Sequence, residues 1–355
     1  MSAGQVTRLR KPRTLRADTI TMAHGSGGKA MRDLIDNVFV STFDNNQLDQ
    51  LEDQARFQLS DLASYGDRLA ITTDSYVVDP LFFPGGDIGK LAVTGTVNDL
   101  AVGGAKPLYL TCGMIIEEGM LVEDLRRIVE SMKRTADESG VQIVTGDTKV
   151  VPRGAADKLF INTAGVGVIR EGIDIHVANS KPGDKVIING YVGDHGAAIV
   201  DARGEMALQN TIETDCQPLN DLIRVMLDTC PEIRTMRDAT RGGIATVLNE
   251  FAESSGVGIR INESAIPVRD EVRGMCEILG LDPLYLANEG KVVAVVPAEA
   301  ADSVLACMQA HPAGTYSAII AEITESPKNT VVLATGFGGD RVVDMLVGEQ
   351  LPRIC

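Results

Sequence analysis

The sequence predicts a two-domain protein of mixed α/β or α+β class. Three observations lead there. At 355 residues the chain exceeds a single ordinary core of about 100–150 residues. Strand-like and helix-like runs alternate through both halves. A shift in composition at Arg170-Glu171-Gly172 separates the halves, which sets the domains at 20–171 and 172–342. Residues 1–19 form a basic extension, and 343–355 a mobile tail that carries Cys355.

The elements follow in chain order. The extension holds Arg8, Arg10, Lys11, Arg13 and Arg16 with no acid among its first 16 residues. No apolar core follows it, so it reads as a solvated arm and not as a signal peptide. Met31, Leu34, Ile35, Val38 and Phe39 recur at helical spacing, which places an amphipathic helix after the glycines at 25–28. Runs at 68–72, 77–78 and 109–116 read as strands. A helix over 88–101 lies between them, opened by Pro84-Gly85-Gly86-Asp87. A helix over 121–139 stops at Gly140, and strands follow at 141–144 and 160–169. In the second half strands are predicted at 185–189, 292–297, 316–323 and 331–334. Helices are predicted there at 194–200, 219–227, 242–254 and 304–311. No internal repeat interrupts this order.

Composition narrows the function classes. With 44% hydrophobic and 23% charged residues the chain is globular. Its 33 basic and 49 acidic residues leave a net charge of −16, which repels phosphate backbones and anionic lipid. No apolar run reaches the roughly 18–20 residues that cross a bilayer. A cytoplasmic protein with neither nucleic-acid nor membrane partners is expected. The six cysteines, Cys112, Cys216, Cys230, Cys276, Cys307 and Cys355, form no CxxC pair and no zinc-ligand spacing. They read as reduced thiols. Cys276 and Cys307 lie in apolar helical patterns and suit a core. Cys355 stands last and not fourth from the end, which excludes prenylation, and from a short tail it can reach into a pocket.

The Gly-rich turns bear on chemistry. Gly25-Ser26-Gly27-Gly28-Lys29 is too short for a P-loop, and the segment from Pro84 to Leu91 lacks the first Gly and the final Ser/Thr. Both still offer amide N–H groups at helix starts, which suit phosphate as well as an ordinary turn. Acids lie in or near such turns: Asp74 and Asp79, Asp87, Asp99, Asp147 and Asp238. Any one of them is a natural cap or turn residue. Together they supply the hard oxygen ligands that Mg²⁺ and a nucleoside triphosphate need, so a nucleotide site is expected. Asp194-His195 reads as a helix cap ahead of a catalytic histidine. Glu289, in Asn288-Glu289-Gly290-Lys291, serves equally as a cap or as a buried base.

The ordered series is more specific than its parts. His24-Gly25-Ser26-Gly27-Gly28, Thr73-Asp74-Ser75-Tyr76, Asn98-Asp99-Leu100-Ala101, Gly146-Asp147-Thr148-Lys149, Arg237-Asp238-Ala239-Thr240-Arg241, Ala287-Asn288-Glu289-Gly290-Lys291 and the closing Pro352-Arg353-Ile354-Cys355 resemble the HypE family of hydrogenase maturation factors. That family lies in the aminoimidazole ribonucleotide (AIR) synthetase-like superfamily, and the likeness spans the chain from about residue 20 onward.

The resemblance implies a homodimer whose N-terminal domains pair into a β-barrel, with a C-terminal α/β sandwich. ATP and Mg²⁺ would lie between the domains. The implied activity is ATP-dependent dehydration of an S-carboxamide on Cys355 to a thiocyanate. The carbamoyl group would come from HypF, and the cyanide would pass to iron on a HypC–HypD complex for a [NiFe] hydrogenase. Carried over by motif, Asp74, Asp99 and Asp238 are metal ligands. Asp87, Gly146, Asp147 and Thr148 are nucleotide contacts, and Lys29 touches phosphate. Lys149 and Glu289 act on Cys355, with Glu289 as base and Lys149 steadying the transferring phosphate. A selenophosphate synthetase is disfavoured because Ser26 stands where that chemistry needs a cysteine, and a non-catalytic carrier has no use for the acids.

Overall fold

In the computed structural model the described residues are 15, 17–204, 212–348, 351 and 353–355. Of the expected basic extension only 15 and 17–19 are among them. A 3-10 turn, Met22–Gly25, leads into helix α1 (Lys29–Leu34), a π-type stretch Ile35–Val40, and the short turns α2 (Ser41–Phe43) and α3 (Leu59–Ala63). Next come β1 (Arg68–Tyr76), the hairpin β2 (Phe82–Phe83) and β3 (Gly86–Asp87), and helix α4 (Ile88–Val102). Strand β4 (Ala105–Glu117), helix α5 (Val122–Ser139), β5 (Gln142–Val151) and β6 (Leu159–Ile169) complete the first half.

Strands β1, β6, β4 and β5 form one sheet in that order, with β4 and β5 parallel and the other pairs antiparallel. Helices α4 and α5 cover one face. Helix α4 buries even Thr94, Thr96 and Asn98, because it is sandwiched between this sheet and the second domain's helix Asn220–Thr229 and strand Thr235–Asp238. The other face is open, and there Leu69, Ile71 and Ile115 are 56%, 71% and 42% exposed. Both β1 and β5 are edges, so the sheet does not close on itself.

The second domain holds β7 (Lys185–Ile188), α6 (Asp194–Ala202), α7 (Asn220–Thr229), β8 (Thr235–Asp238), α8 (Gly243–Ser255) and β9 (Gly258–Asn262). It continues through α9 (Asp270–Leu279), β10 (Val292–Val296), α10 (Ala301–Gln309), β11 (Ala318–Thr324), β12 (Thr330–Ala334) and β13 (Asp340–Val343). Its seven strands run in the order β13, β12, β9, β11, β7, β10, β8. Val293 and Val295 pack with Ile244, Leu248 and Phe251 of α8. Val292, Ala294 and Val296 pack on the opposite face with Leu222 and Met226 of α7 and Val304 of α10. Helices on both faces explain why β10 is an unbroken apolar run.

Two expectations change. The strand expected at 68–72 runs on to Tyr76 as β1, and residues 77–78, expected as a strand of their own, lie beyond its end in no strand. Antiparallel pairing with β6 from Arg68 through Tyr76 carries Asp74 along, although aspartate lowers strand propensity. The tail expected to be mobile is seated, with Ile354 buried and the Arg353 carbonyl accepting the Asp79 amide N–H at 3.2 Å.

Candidate functional site

Five elements aim acids and a thiol at one cavity of about 260 Å³ between the domains. Strand β1 presents Asp74, the last turn of α4 presents Asp99, and the end of β8 presents Asp238. The segment before β10 presents Glu289, and the C-terminal segment presents Cys355. Arg241, from the turn after β8, closes the group, its Nε 3.3 Å from the Cys355 sulfur. A larger cavity of about 640 Å³ adjoins through Arg241 and Cys355 and is lined also by Ser75, Val77 and Gly242. The combined space is within the range of small-molecule sites.

The sequence holds Glu289 in place through its backbone. The Asp215 carboxylate accepts the N–H groups of Glu289 and Gly290 at 3.0 and 3.2 Å, and pairs with Lys291 Nζ at 2.9 Å. A Cβ on Gly290 would lie 2.0 Å from the Asp215 carbonyl oxygen, so this close approach requires glycine. From the first domain, Asn98 donates its amide to the Glu289 carbonyl at 3.3 Å and accepts the Leu219 N–H at 2.8 Å. The backbone is therefore fixed from three sides while Glu289 Oε1 has no hydrogen-bond partner among the described residues. A buried acceptor left open in this way suits a reacting group.

Electrostatics in the cavity are those of crowded acids. Burial, then the neighbouring Asp99 and Asp74, push Asp238 up to about 7. Burial also raises Asp99, against the hydrogen bond from Thr72 Oγ1 at 2.9 Å. Burial and the carboxylates of Asp238, Asp215 and Asp74 hold Glu289 well above the usual carboxylate range. The Cys355 thiol is pushed up to about 12 by burial and by Glu289, although Arg241 opposes this. A divalent cation would relieve this repulsion. Among the described residues no three acids, cysteines or histidines form a ready-made metal shell.

The other expected site residues lie elsewhere. Asp87 caps α4, its Oδ1 accepting the N–H groups of Gly89 and Lys90 at 2.7 and 3.1 Å. It stands about 18 Å along that helix from Asp99. Gly146, Asp147, Thr148 and Lys149 lie on β5, the edge opposite β1, about 14 Å across the sheet from Asp74. Thr148 points into the first core, whereas exposed Lys149 sits on the open face 3.7 Å from Asp147. Gly146 has a packing reason of its own, since a Cβ there would meet the Cys112 carbonyl oxygen at 2.3 Å. Lys29 is exposed at the start of α1, near this same edge, where Gly25 packs on Val150. One chain thus carries two groups: the acids with Cys355 at one edge, and the glycine turns with Lys149 at the other.

Arg241, Thr72 and His195 contribute to the site without having been singled out for these roles. Arg241 lies inside a quoted motif, so charge beside Asp238 was the available signal. His195 does not cap α6; the capping position is Gly193, at φ 87°, and the imidazole reaches the C-terminal segment instead.

Comparison with known proteins identifies the family. The AIR synthase related protein N-terminal domain family matches residues 52–169, and its C-terminal domain family matches residues 181–334. Carbamoyl dehydratase HypE of Rhodobacter capsulatus is 56% identical over 341 residues, covering 96% of this chain and 99% of its own. This chain belongs to the HypE carbamoyl dehydratase family. A crystal structure of the HypE hydrogenase maturation protein in complex with ATP matches with a TM-score of 0.89 at 46% identity, over 94% of this chain and 99% of that one. HypE in a HypE–HypF complex matches with a TM-score of 0.77 at 48% identity, over 88% and 99%. The fold is the two-domain AIR synthase related fold of HypE, and the chain is an enzyme of that family.

Proposed function

We propose that this chain uses ATP to dehydrate a carbamoyl group carried on the sulfur of Cys355, giving a thiocyanate whose cyanide is destined for the iron of a [NiFe] hydrogenase. The observation that carries the reading is the Cys355 sulfur seated in the acid-lined cavity beside Arg241 and Glu289. The HypE structures with ATP and with HypF support ATP as co-substrate and HypF as a partner, and HypF is the expected source of the carbamoyl group. A HypC–HypD complex is the expected cyanide acceptor, in the cytoplasm.

The chemistry needs each part. An amide oxygen leaves poorly as hydroxide, so it first takes the γ-phosphoryl group of ATP, forming a C–O–P bond as the bond to ADP breaks and the nitrogen gives up one of its two protons to water. The remaining N–H proton then passes to Glu289, the C–O bond breaks, and phosphate departs with its electron pair, leaving –S–C≡N. Asp74, Asp99 and Asp238 would hold the Mg²⁺ that neutralises charge on the phosphates. Arg241, beside the sulfur, steadies negative charge on the transferring group. Asp99→Asn is expected to weaken Mg–ATP binding about tenfold or more by calorimetry; parental affinity would remove Asp99 from the site.

The two separated groups of residues fit together across a homodimer. The open sheet face with Leu69, Ile71 and Ile115 is apolar, and both β1 and β5 are unpaired edges. Joining β1 of one copy to β5 of a second would close eight strands into a barrel and bring Lys149 and the Gly146–Thr148 stretch of β5 to the partner's acids. Lys149→Ala and Cys355→Ala proteins should each be inactive alone. Mixed by refolding together, they should recover about one quarter of parental activity through the one working site of each mixed dimer. No recovery would mean that Lys149 does not act across the pair.

A further inference from the structure

The residues before Cys355 are held by groups that take no part in the proposed chemistry. The Arg353 carbonyl accepts from Arg203 Nη2 at 2.9 Å as well as from the Asp79 N–H. The Ile354 carbonyl lies 2.7 Å from Nε2 of His195, a fully buried ring in the first turn of α6. A carbonyl has no proton to give, so Nε2 carries the hydrogen. In the neutral ring Nδ1 is then an acceptor, and it lies 2.8 Å from Thr214 Oγ1.

Thr214 is itself anchored. Its hydroxyl oxygen accepts the Cys216 N–H at 3.1 Å, which leaves its own proton to point at Nδ1. Its backbone N–H donates to the Pro84 carbonyl at 2.9 Å. The Phe83 ring packs edge-on against the imidazole at 5.6 Å between centroids. Orientation and tautomer of His195 are therefore both set from behind. That arrangement is more than core filling requires, because an aliphatic side chain would fill the volume without a donor.

We propose that His195 is a positioning residue for the reaction: a latch whose Nε2–H holds the Ile354 carbonyl and so delivers the Cys355 sulfur beside Glu289, with Thr214 fixing the tautomer that makes the latch a donor. The purpose rests on Cys355 carrying the reacting group, but the latch itself is a property of the chain and is measurable without turnover. Without the donor, the Ile354 carbonyl loses its partner in a buried setting. The undocked fraction of the segment should then rise about tenfold or more.

The test is alkylation of the intact protein by N-ethylmaleimide, followed residue by residue by mass spectrometry. Cys355 reports undocking, and Cys112, buried in the first core, reports general loosening. His195→Phe keeps an aromatic ring and removes the donor, His195→Gln restores an N–H, and Thr214→Val frees the tautomer. Expected is Cys355 labelling about tenfold faster in His195→Phe and several-fold faster in Thr214→Val, close to parental in His195→Gln, with Cys112 unchanged in all. Parental labelling of Cys355 in both His195→Phe and Thr214→Val overturns the latch. A parallel rise at Cys112 overturns it too, making His195 a plain core residue. If His195→Phe does not fold, Thr214→Val decides alone. In a second readout, carbamoyl transfer to Cys355 should persist in His195→Phe while its dehydration slows. If labelling behaves as expected but the parental protein never loses water from its adduct, the latch stands and the dehydratase reading falls.

Discussion

Cys355→Ala protein, supplied with ATP, Mg²⁺, carbamoyl phosphate and HypF, should show no covalent adduct, where the parental chain gains a carbamoyl group and then loses one water. Intact-mass spectrometry reads both steps. The effect is expected to be complete because no other thiol can substitute. Cys112, Cys216, Cys230 and Cys276 are buried, Cys307 lies on α10 in the second core, and none of them lines the acid cavity. The seated thiol is a poor nucleophile, since burial and Glu289 push it up to about 12. Carbamoyl transfer should therefore take place with Cys355 withdrawn, and dehydration with it returned. A dehydrated adduct on Cys355→Ala protein would overturn the terminal-thiol mechanism.

Glu289→Gln should separate the two steps. Transfer to Cys355 should proceed, while loss of water slows by about 10²–10⁴-fold, the usual worth of a positioned base. The carbamoylated or phosphorylated adduct should then accumulate. The sign of the pH dependence follows from the environment. Burial and the carboxylates of Asp238, Asp215 and Asp74 raise Glu289, which favours its protonated form, and a base must be ionised. Charge compensation at Asp74 and Asp238 on nucleotide loading removes two of those three neighbours and favours ionisation. The dehydration rate should rise with pH through the Glu289 titration, and lowering Mg²⁺ should move that rise to higher pH. Glu289→Gln should lack this limb. A normal thiocyanate yield from Glu289→Gln would show that the base lies elsewhere.

Much of the fold was legible because the pattern that sets an element is local. The helical spacing of Met31, Leu34 and Val38, the stop at Gly140, and the apolar run of β10 each follow from a few neighbouring residues. Less legible were β9 and α9, and the polar half of β1, which owes its extended form to pairing with β6. Within the cleft, Asp74, Asp99, Asp238, Glu289 and Cys355 were candidates before the structure, and it brings them to one cavity. The roles of Arg241 and His195 are not legible in the sequence because they depend on what arrives opposite them. A guanidinium becomes part of this site only when Cys355 lies 3.3 Å away, and an imidazole becomes a clasp only when the Ile354 carbonyl does the same at 2.7 Å.

The sequence by itself determined the family, the alternation of elements and the acidic, glycine-rich chemistry, because spacing, turn chemistry and charge are written residue by residue. Only the tertiary structure decided which acids meet. Asp74, Asp99, Asp238, Glu289 and Cys355 come from five separate segments, and it is the packing of α4 between two sheets that joins them. The same packing sends Lys149 and Asp147 to the opposite edge, because strand order places β6 and β4 between β1 and β5. Proximity along a motif carries no information about such distances; the order of strands in a sheet does.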